Sequence, residues 1–128
     1  MSEPIDARIQ ELVATLNQLP GITTFGSCGG HPNPGPRQWP EGTCYVKFTA
    51  SEAGGGLVSV QFLSWVLRDL RRQGVPWRLV GLRPPADVEA PPDELFFALE
   101  GYWGTDPDQL AEVLELQRGQ VLGRLPAS

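Results

Sequence analysis

The residues best suited to chemistry in this 128-residue chain lie together in one short segment, Ser27-Cys28-Gly29-Gly30-His31. It holds the only histidine, one of two cysteines and two adjacent glycines, directly after a predicted strand. Because glycine lets the backbone turn where a side chain would clash, neighbouring N–H groups can converge on an anion or on a ligand carbonyl. A tight turn that only reverses the chain is the alternative. The residues predicted to bind a small or anionic ligand are Ser27, Cys28, Gly29, Gly30, His31 and Trp39, with an arginine of the second helix as a further candidate.

The spacing of Cys28 and His31, with two residues between them, also occurs in metal-ligand pairs. Cys44 begins the next predicted strand, and an antiparallel pairing would bring it near Cys28. These three ligands, with Glu41 or water as the fourth, would complete a tetrahedral zinc site. Two alternatives compete with zinc: Cys44 as ordinary core packing, and a disulfide between the cysteines, which a reducing compartment disfavours.

Cys28 and His31 also have the chemistry of a nucleophile and its base, because an imidazole can lower the pKa of a thiol and take its proton. The sequence shows no third residue that would orient the imidazole and no oxyanion hole. It contains neither a GxxxxGK[ST] phosphate loop nor a GxGxxG turn. Whether the chain is an enzyme therefore stays open.

The charge balance gives little support to nucleic-acid binding. The chain has 10 Lys and Arg against 15 Asp and Glu, a net charge of -5, so a general basic footprint is missing. Local features could still bind an anion or stack on a nucleic-acid base. They are the arginines between Arg68 and Arg83, and the loop aromatics Trp39, Tyr102 and Trp103. An interaction module that meets a protein partner through its acidic C-terminal half is a further alternative.

Several sequence features bear on location and domain number. Met1-Ser2-Glu3-Pro4 is neither basic nor apolar, which is not typical of a signal peptide, so we expect a cytoplasmic protein. No apolar run approaches the roughly 18 residues that a membrane span needs. The length predicts a single domain over residues 1–128.

Hydrophobic periodicity predicts an α+β fold in the order αββαββα, with helices packed on a four-stranded mixed or antiparallel sheet. The first helix places apolar residues at helical spacing from Ile5 to Leu19, with Ser2 near its cap and Pro4 in its first turn. A flexible run of three glycines at 54–56 precedes the second helix, which ends at Gln73-Gly74. Asp106-Pro107 predicts the start of the third.

Alternating or continuous apolar residues predict the four strands, at residues 22–27, 43–49, 77–82 and 94–101. In the second strand Cys44 falls on the inward face with Val46 and Phe48. The run Leu95-Phe96-Phe97-Ala98-Leu99 predicts a central strand covered on both sides. A four-proline loop at 28–42 and an exposed connection at 84–92 complete the chain.

The chain resembles the tRNA wybutosine-synthesising methyltransferase family that acts at the third step of that pathway. The resemblance rests on Glu11-Leu12-Val13, Leu16-Asn17, Thr23-Thr24 and Ser27-Cys28-Gly29-Gly30, followed by the same order of elements over residues 11–117. The family's turn normally continues with arginine, where this chain has His31. The resemblance implies an α+β fold, a ligand-binding turn at Ser27, Cys28 and Gly30, and S-adenosylmethionine-dependent methylation of a modified guanosine in tRNA.

Overall fold

The computed structural model describes residues 7–36, 38–84 and 93–121. Their elements follow the predicted order αββαββα, so the α+β fold is confirmed. The three helices are α1 (Gln10–Asn17), α2 (Gly56–Arg72) and α3 (Pro107–Val121). The four strands are β1 (Ile22–Cys28), β2 (Cys44–Ser51), β3 (Trp77–Leu82) and β4 (Glu94–Gly101). Ser2, Pro4, Ile5 and most of the 84–92 connection lie outside the described residues.

The strands form one sheet in the order β1-β2-β4-β3, and all neighbouring pairs are antiparallel. The last strand in sequence therefore inserts between β2 and β3 and is central, as its apolar run predicts. Its register with β2 is unbroken from Cys44 opposite Gly101 to Ser51 opposite Glu94. This register places the beginning of β2 beside the end of β4, at the same end of the sheet as the Cys28 loop.

The core lies between one face of the sheet and the helices. The β2 residues Val46, Phe48 and Ala50 are each fully buried on this face, and Cys44 is buried with them, as the alternation predicts. Burial of large apolar side chains is the main favourable term in folding. The helical layer contributes Leu12, Val13 and Leu16 from α1 with Ile9 and Leu19 on either side of it, Phe62, Leu63, Val66, Leu67 and Leu70 from α2, and Leu110 and Leu114 from α3.

The opposite face of the sheet carries Tyr45 and Lys47 from β2 and Phe96 from β4. The exposed ring of Phe25 meets Phe96 edge-on, with 5.7 Å between ring centroids. Lys47 Nζ lies 5.6 Å from the centroid of the Tyr45 ring. The helices pack on the other face, so β4 is not covered on both sides by helices, and Leu95 near its start is 44% exposed.

The glycines before α2 allow a close approach between backbones. A Cβ on Gly21 would lie 2.4 Å from the nitrogen of Gly56, and one on Gly56 would lie 2.6 Å from the nitrogen of Ser51. Real Cβ atoms do not approach other atoms this closely. Gly56 is the first residue of α2, and its backbone packs tightly against Gly21 and Ser51. The glycine run alone predicts a flexible link at this position.

No helix within residues 7–36, 38–84 and 93–121 is long and apolar enough to cross a membrane.

Candidate functional site

The loop between β1 and β2 is held closed at its base by backbone hydrogen bonds around His31. The His31 N–H donates to the carbonyl of Trp39 at 2.9 Å, and the His31 carbonyl accepts from the N–H of Glu41 at 2.7 Å. His31 and Pro40 form a parallel bridge. Pro32, Pro34 and Pro36 thus lie exposed beyond a fixed base that includes Pro40, and Arg37 lies outside the described residues.

Gly30 is buried at this base in a conformation that requires glycine. Its φ is +93°, and an added Cβ would lie 2.5 Å from the carbonyl oxygen of Thr43. Its own carbonyl accepts a hydrogen bond from Arg8 Nη1 at 3.2 Å. The same Nη1 lies 3.6 Å from Glu41 Oε1, in an exposed ion pair of the kind that adds little stability. Arg8 thereby fixes the turn to the segment just before α1.

The Cys28 thiol is buried beneath the loop. Its Sγ accepts a hydrogen bond from the backbone N–H of Trp39 at 3.3 Å, and the residue is 4% exposed. The Trp39 ring packs against the rings of Tyr45 and Tyr102, with centroids 5.2 Å and 6.1 Å away. The Trp39 side chain is therefore packed over the end of the sheet.

The Cys44 thiol lies on the core side, beside Thr105 and Gly101. Burial raises its pKa to about 11, against the opposing effect of hydrogen bonds with the Thr105 side chain and the Gly101 backbone. A thiol with this pKa is protonated at neutral pH, whereas the thiolate is the nucleophile and the metal-binding form. Cys44 is therefore suited to packing and to weak hydrogen bonding.

The structure does not assemble the predicted zinc ligands. Cys28 pairs with Tyr45 and Cys44 pairs with Gly101, so the two side chains project to opposite faces of the sheet. Both thiols are free. Within the described ranges no group of three or more His, Cys, Asp or Glu side chains is placed to hold a metal ion. Spacing along the chain indicates proximity, but the alternation of β2 turns Cys44 away from Cys28.

A polar cleft of about 270 Å³ opens on the core side of this end of the sheet. One wall is the base of the loop, with Arg8 and Gly29, and the other is the first turn of α3. Asp106 Oδ1 accepts a hydrogen bond from the N–H of Asp108 at 3.0 Å, the capping that the Asp-Pro start predicts. The described residues that line the cleft are Arg8, Gly29, Gly42, Thr43, Cys44, Thr105, Asp106, Pro107 and Asp108.

Of the predicted binding residues, Gly29 alone lines this cleft. Ser27 is the last β1 residue before Cys28, Gly30 supports the cleft from within the loop base, and His31 is half-buried on the neighbouring bridge. The basic side chain at the cleft is Arg8, not an arginine of α2. Arg71 of α2 donates instead to the carbonyl of Trp77 at 3.3 Å.

Sequence reasoning missed Arg8, Thr105 and Asp108 as site residues. Asp106 and Asp108 are typical of a helix start, but this pattern does not predict which residues face the helix across the cleft. Arg8 is 22 positions from Gly30 and belongs to no motif, so only the tertiary fold brings the two together.

Comparison of the chain with protein-family models, with curated proteins and with solved structures finds no match. The resemblance to the wybutosine-synthesising methyltransferases therefore stays a prediction from the residues quoted above.

Proposed function

We propose that this chain is a small-molecule-binding domain whose ligand occupies the cleft between the Gly29 turn and the first turn of α3. The observation that carries the proposal is the cleft itself, in which polar groups from three separate parts of the chain converge. Arg8 precedes α1, Thr43 precedes β2, Thr105 precedes α3 and Asp108 lies in its first turn. Concave sites with a few convergent polar groups are the usual form of ligand pockets.

The rigidity of the cleft walls supports this proposal. Gly30 is clamped against Thr43, and Arg8 is bonded to the Gly30 carbonyl. On the other wall, the Thr105 hydroxyl donates to the Tyr102 carbonyl at 2.8 Å. A site whose walls are held in this way loses little conformational entropy when it binds.

The volume of the cleft favours a small ligand. At about 270 Å³ it is just below the roughly 300–1,000 Å³ of pockets that enclose drug-sized molecules. The alternative, a diverged methyltransferase, would need S-adenosylmethionine, whose adenosine would extend beyond these walls.

The Cys44 thiol at the cleft also favours binding without nucleophilic catalysis, because its raised pKa keeps it protonated at neutral pH. We also propose a cytoplasmic location, in which both free thiols would stay reduced.

The proposal is tested by titrating ¹⁵N-labelled protein with a panel of small ligands and following backbone amide shifts. The panel includes phosphate, nucleotides, S-adenosylmethionine and a general fragment library. We expect at least one compound to give saturable shifts that centre on Gly29, Gly42, Thr43, Thr105 and Asp108.

Two acid-to-amide variants one turn apart on α3 give a matched control. Asp108→Asn should weaken the response, whereas Glu112→Gln, outside the cleft lining, should leave it unchanged. A panel without saturable shifts at the cleft would remove the proposal, and shifts that centre on His31 and Trp39 would move the site to the other side of the loop. Saturable S-adenosylmethionine binding would favour the methyltransferase alternative.

A further inference from the structure

We infer that the ligand of this cleft is a small zwitterion, with its carboxylate toward Arg8 and its ammonium toward Asp108 and Asp106. This inference rests on the proposed function and adds the chemical class of the ligand. It begins from the distribution of charge, because the two walls of the cleft carry charges of opposite sign.

The side chains of the α3 wall are hydrogen-bond acceptors, and the two carboxylates of Asp106 and Asp108 outweigh the partial positive charge, about half an elementary charge, of the helix N-terminus. Asp106 and Asp108 form no ion pair with any other residue in the described parts of the chain. Asp106 Oδ1 accepts one backbone N–H, and its remaining lone pairs, like those of Asp108, can accept from a ligand. An ammonium group supplies three N–H donors and the matching charge.

The two hydroxyls of the cleft add to this preference. Thr43 Oγ1 donates its proton to the Pro40 carbonyl at 2.6 Å, and Thr105 Oγ1 donates to the Tyr102 carbonyl at 2.8 Å. With their single protons directed to these carbonyls, both hydroxyls present acceptor lone pairs to a ligand, and Thr105 shares its oxygen with the Cys44 thiol as well. A ligand made only of acceptors, such as phosphate, would meet these oxygens and the carboxylates unfavourably.

The loop wall supplies the opposite chemistry through the Arg8 guanidinium, which is always charged and favours carboxylates. Its bond to the Gly30 carbonyl fixes its position at the rim. Glu41 offsets part of this charge at 3.6 Å, but both side chains of that pair are more than half exposed and solvent screens them. One end of the ligand is therefore anionic and the other is cationic.

The test compares molecules that differ in the presence or the separation of their charged ends. Glycine, β-alanine and γ-aminobutyrate vary the separation of the charges, and butyrate and butylamine each lack one charge of γ-aminobutyrate. We expect one of the amino acids to shift the amides of both walls and to bind roughly tenfold more tightly than either singly charged molecule, the effect of one charge-assisted hydrogen bond.

Variants assign each end of the ligand. Arg8→Gln should remove the advantage of the amino acid over butylamine, and Asp108→Asn should remove its advantage over butyrate. Arg68→Gln, on α2 and outside the cleft lining, should change neither, and Glu41→Gln should not weaken binding.

The outcomes separate this inference from the proposed function. Equal binding of butylamine and the amino acids, or preference for butyrate or phosphate, would overturn the zwitterion and keep a ligand site. If none of the five probes shifts the cleft amides but another library compound does, the zwitterion is again overturned and the ligand site is kept. Silence of the whole library at the cleft would remove both.

Discussion

Gly30 shows how one residue can determine the geometry of a site it does not line. Its carbonyl positions Arg8, and its missing side chain leaves room for the Thr43 carbonyl. Gly74 has nearly the same backbone conformation, with φ of +88° against +93°, but among the described residues no atom beyond its chain neighbours lies within 4 Å of an added Cβ. A side chain at Gly74 would therefore meet backbone strain alone, whereas one at Gly30 would meet backbone strain and steric overlap together.

We expect Gly74→Ala to lower the free energy of unfolding by about 1–2 kcal/mol, the cost of a left-handed conformation for alanine. Gly30→Ala should cost roughly 2 kcal/mol more, because its Cβ must also displace the Thr43 carbonyl. Urea denaturation followed by circular dichroism measures both. Equal losses in the two variants would show that the loop base yields without strain.

Cys44 gives the stability of the protein a dependence on alkaline pH. Its pKa is raised to about 11 in the folded protein from an ordinary value of 9.0, so above pH 9 the unfolded chain releases a proton that the folded chain retains. The stabilisation is complete below pH 9 and is lost as the pH rises toward 11. The loss is on the order of 2–3 kcal/mol.

This dependence is measured as the difference between wild type and Cys44→Ala. Denaturation at pH 8 and at pH 10.5 should show a larger loss of unfolding free energy for the wild type, because the variant lacks the buried thiol. Parallel pH profiles for the two proteins would contradict the assignment to Cys44.

At the scale of elements, the β1–β2 loop acts as a cover for the Cys28 thiol. The Trp39 backbone bonds to Sγ while its ring packs on Tyr45 and Tyr102. We expect Trp39→Ala to loosen this cover and to raise the rate at which DTNB modifies Cys28 severalfold. Trp103 is 66% exposed, and Trp103→Ala is the matched control that should leave the rate unchanged.

Mass spectrometry of the modified protein identifies which cysteine has reacted. Modification of Cys28 at the wild-type rate in Trp39→Ala would mean that the loop stays closed without its indole. The Cys44 thiol should stay unmodified in both variants, because it is only 2% exposed even at the cleft and its raised pKa keeps it protonated at neutral pH.

The elements themselves were largely predictable, because their signals are local. β4 has the predicted bounds, since a continuous apolar run between polar residues leaves little choice, and α3 begins at the Asp106-Pro107 signal. Gly56 was not predictable in the same way. Its lack of a side chain matters only because Gly21 and Ser51 approach it, and neither contact is visible in a glycine run.

The candidate site was much less predictable than the elements. The glycine turn beside Gly29 identifies the right end of the molecule, since sharp turns after a strand carry a sequence signal. The opposite faces of Cys28 and Cys44 depend on strand register, and the position of Arg8 depends on the packing of α1. Both are long-range properties that a linear sequence does not express.

At the scale of the whole molecule, the inserted position of β4 makes β2 and β4 the centre of the fold. Each has a hydrogen-bonded neighbour on both sides, whereas β1 and β3 are edge strands. We expect hydrogen exchange to be slowest for amides of Val46, Phe48 and Leu99, whose side chains are fully buried, and faster in β1 and β3. Deuterium exchange followed by NMR measures this order. Slower exchange in β1 than in β2 would contradict it.

Lys47 is the only lysine of the chain, and it is exposed on the face of the sheet opposite the helices. Apart from the N-terminal amine, an acylating dye or biotin reagent thus has one point of attachment, across the sheet from the Cys44 side chain. A protein immobilised there would present its helical side to solution.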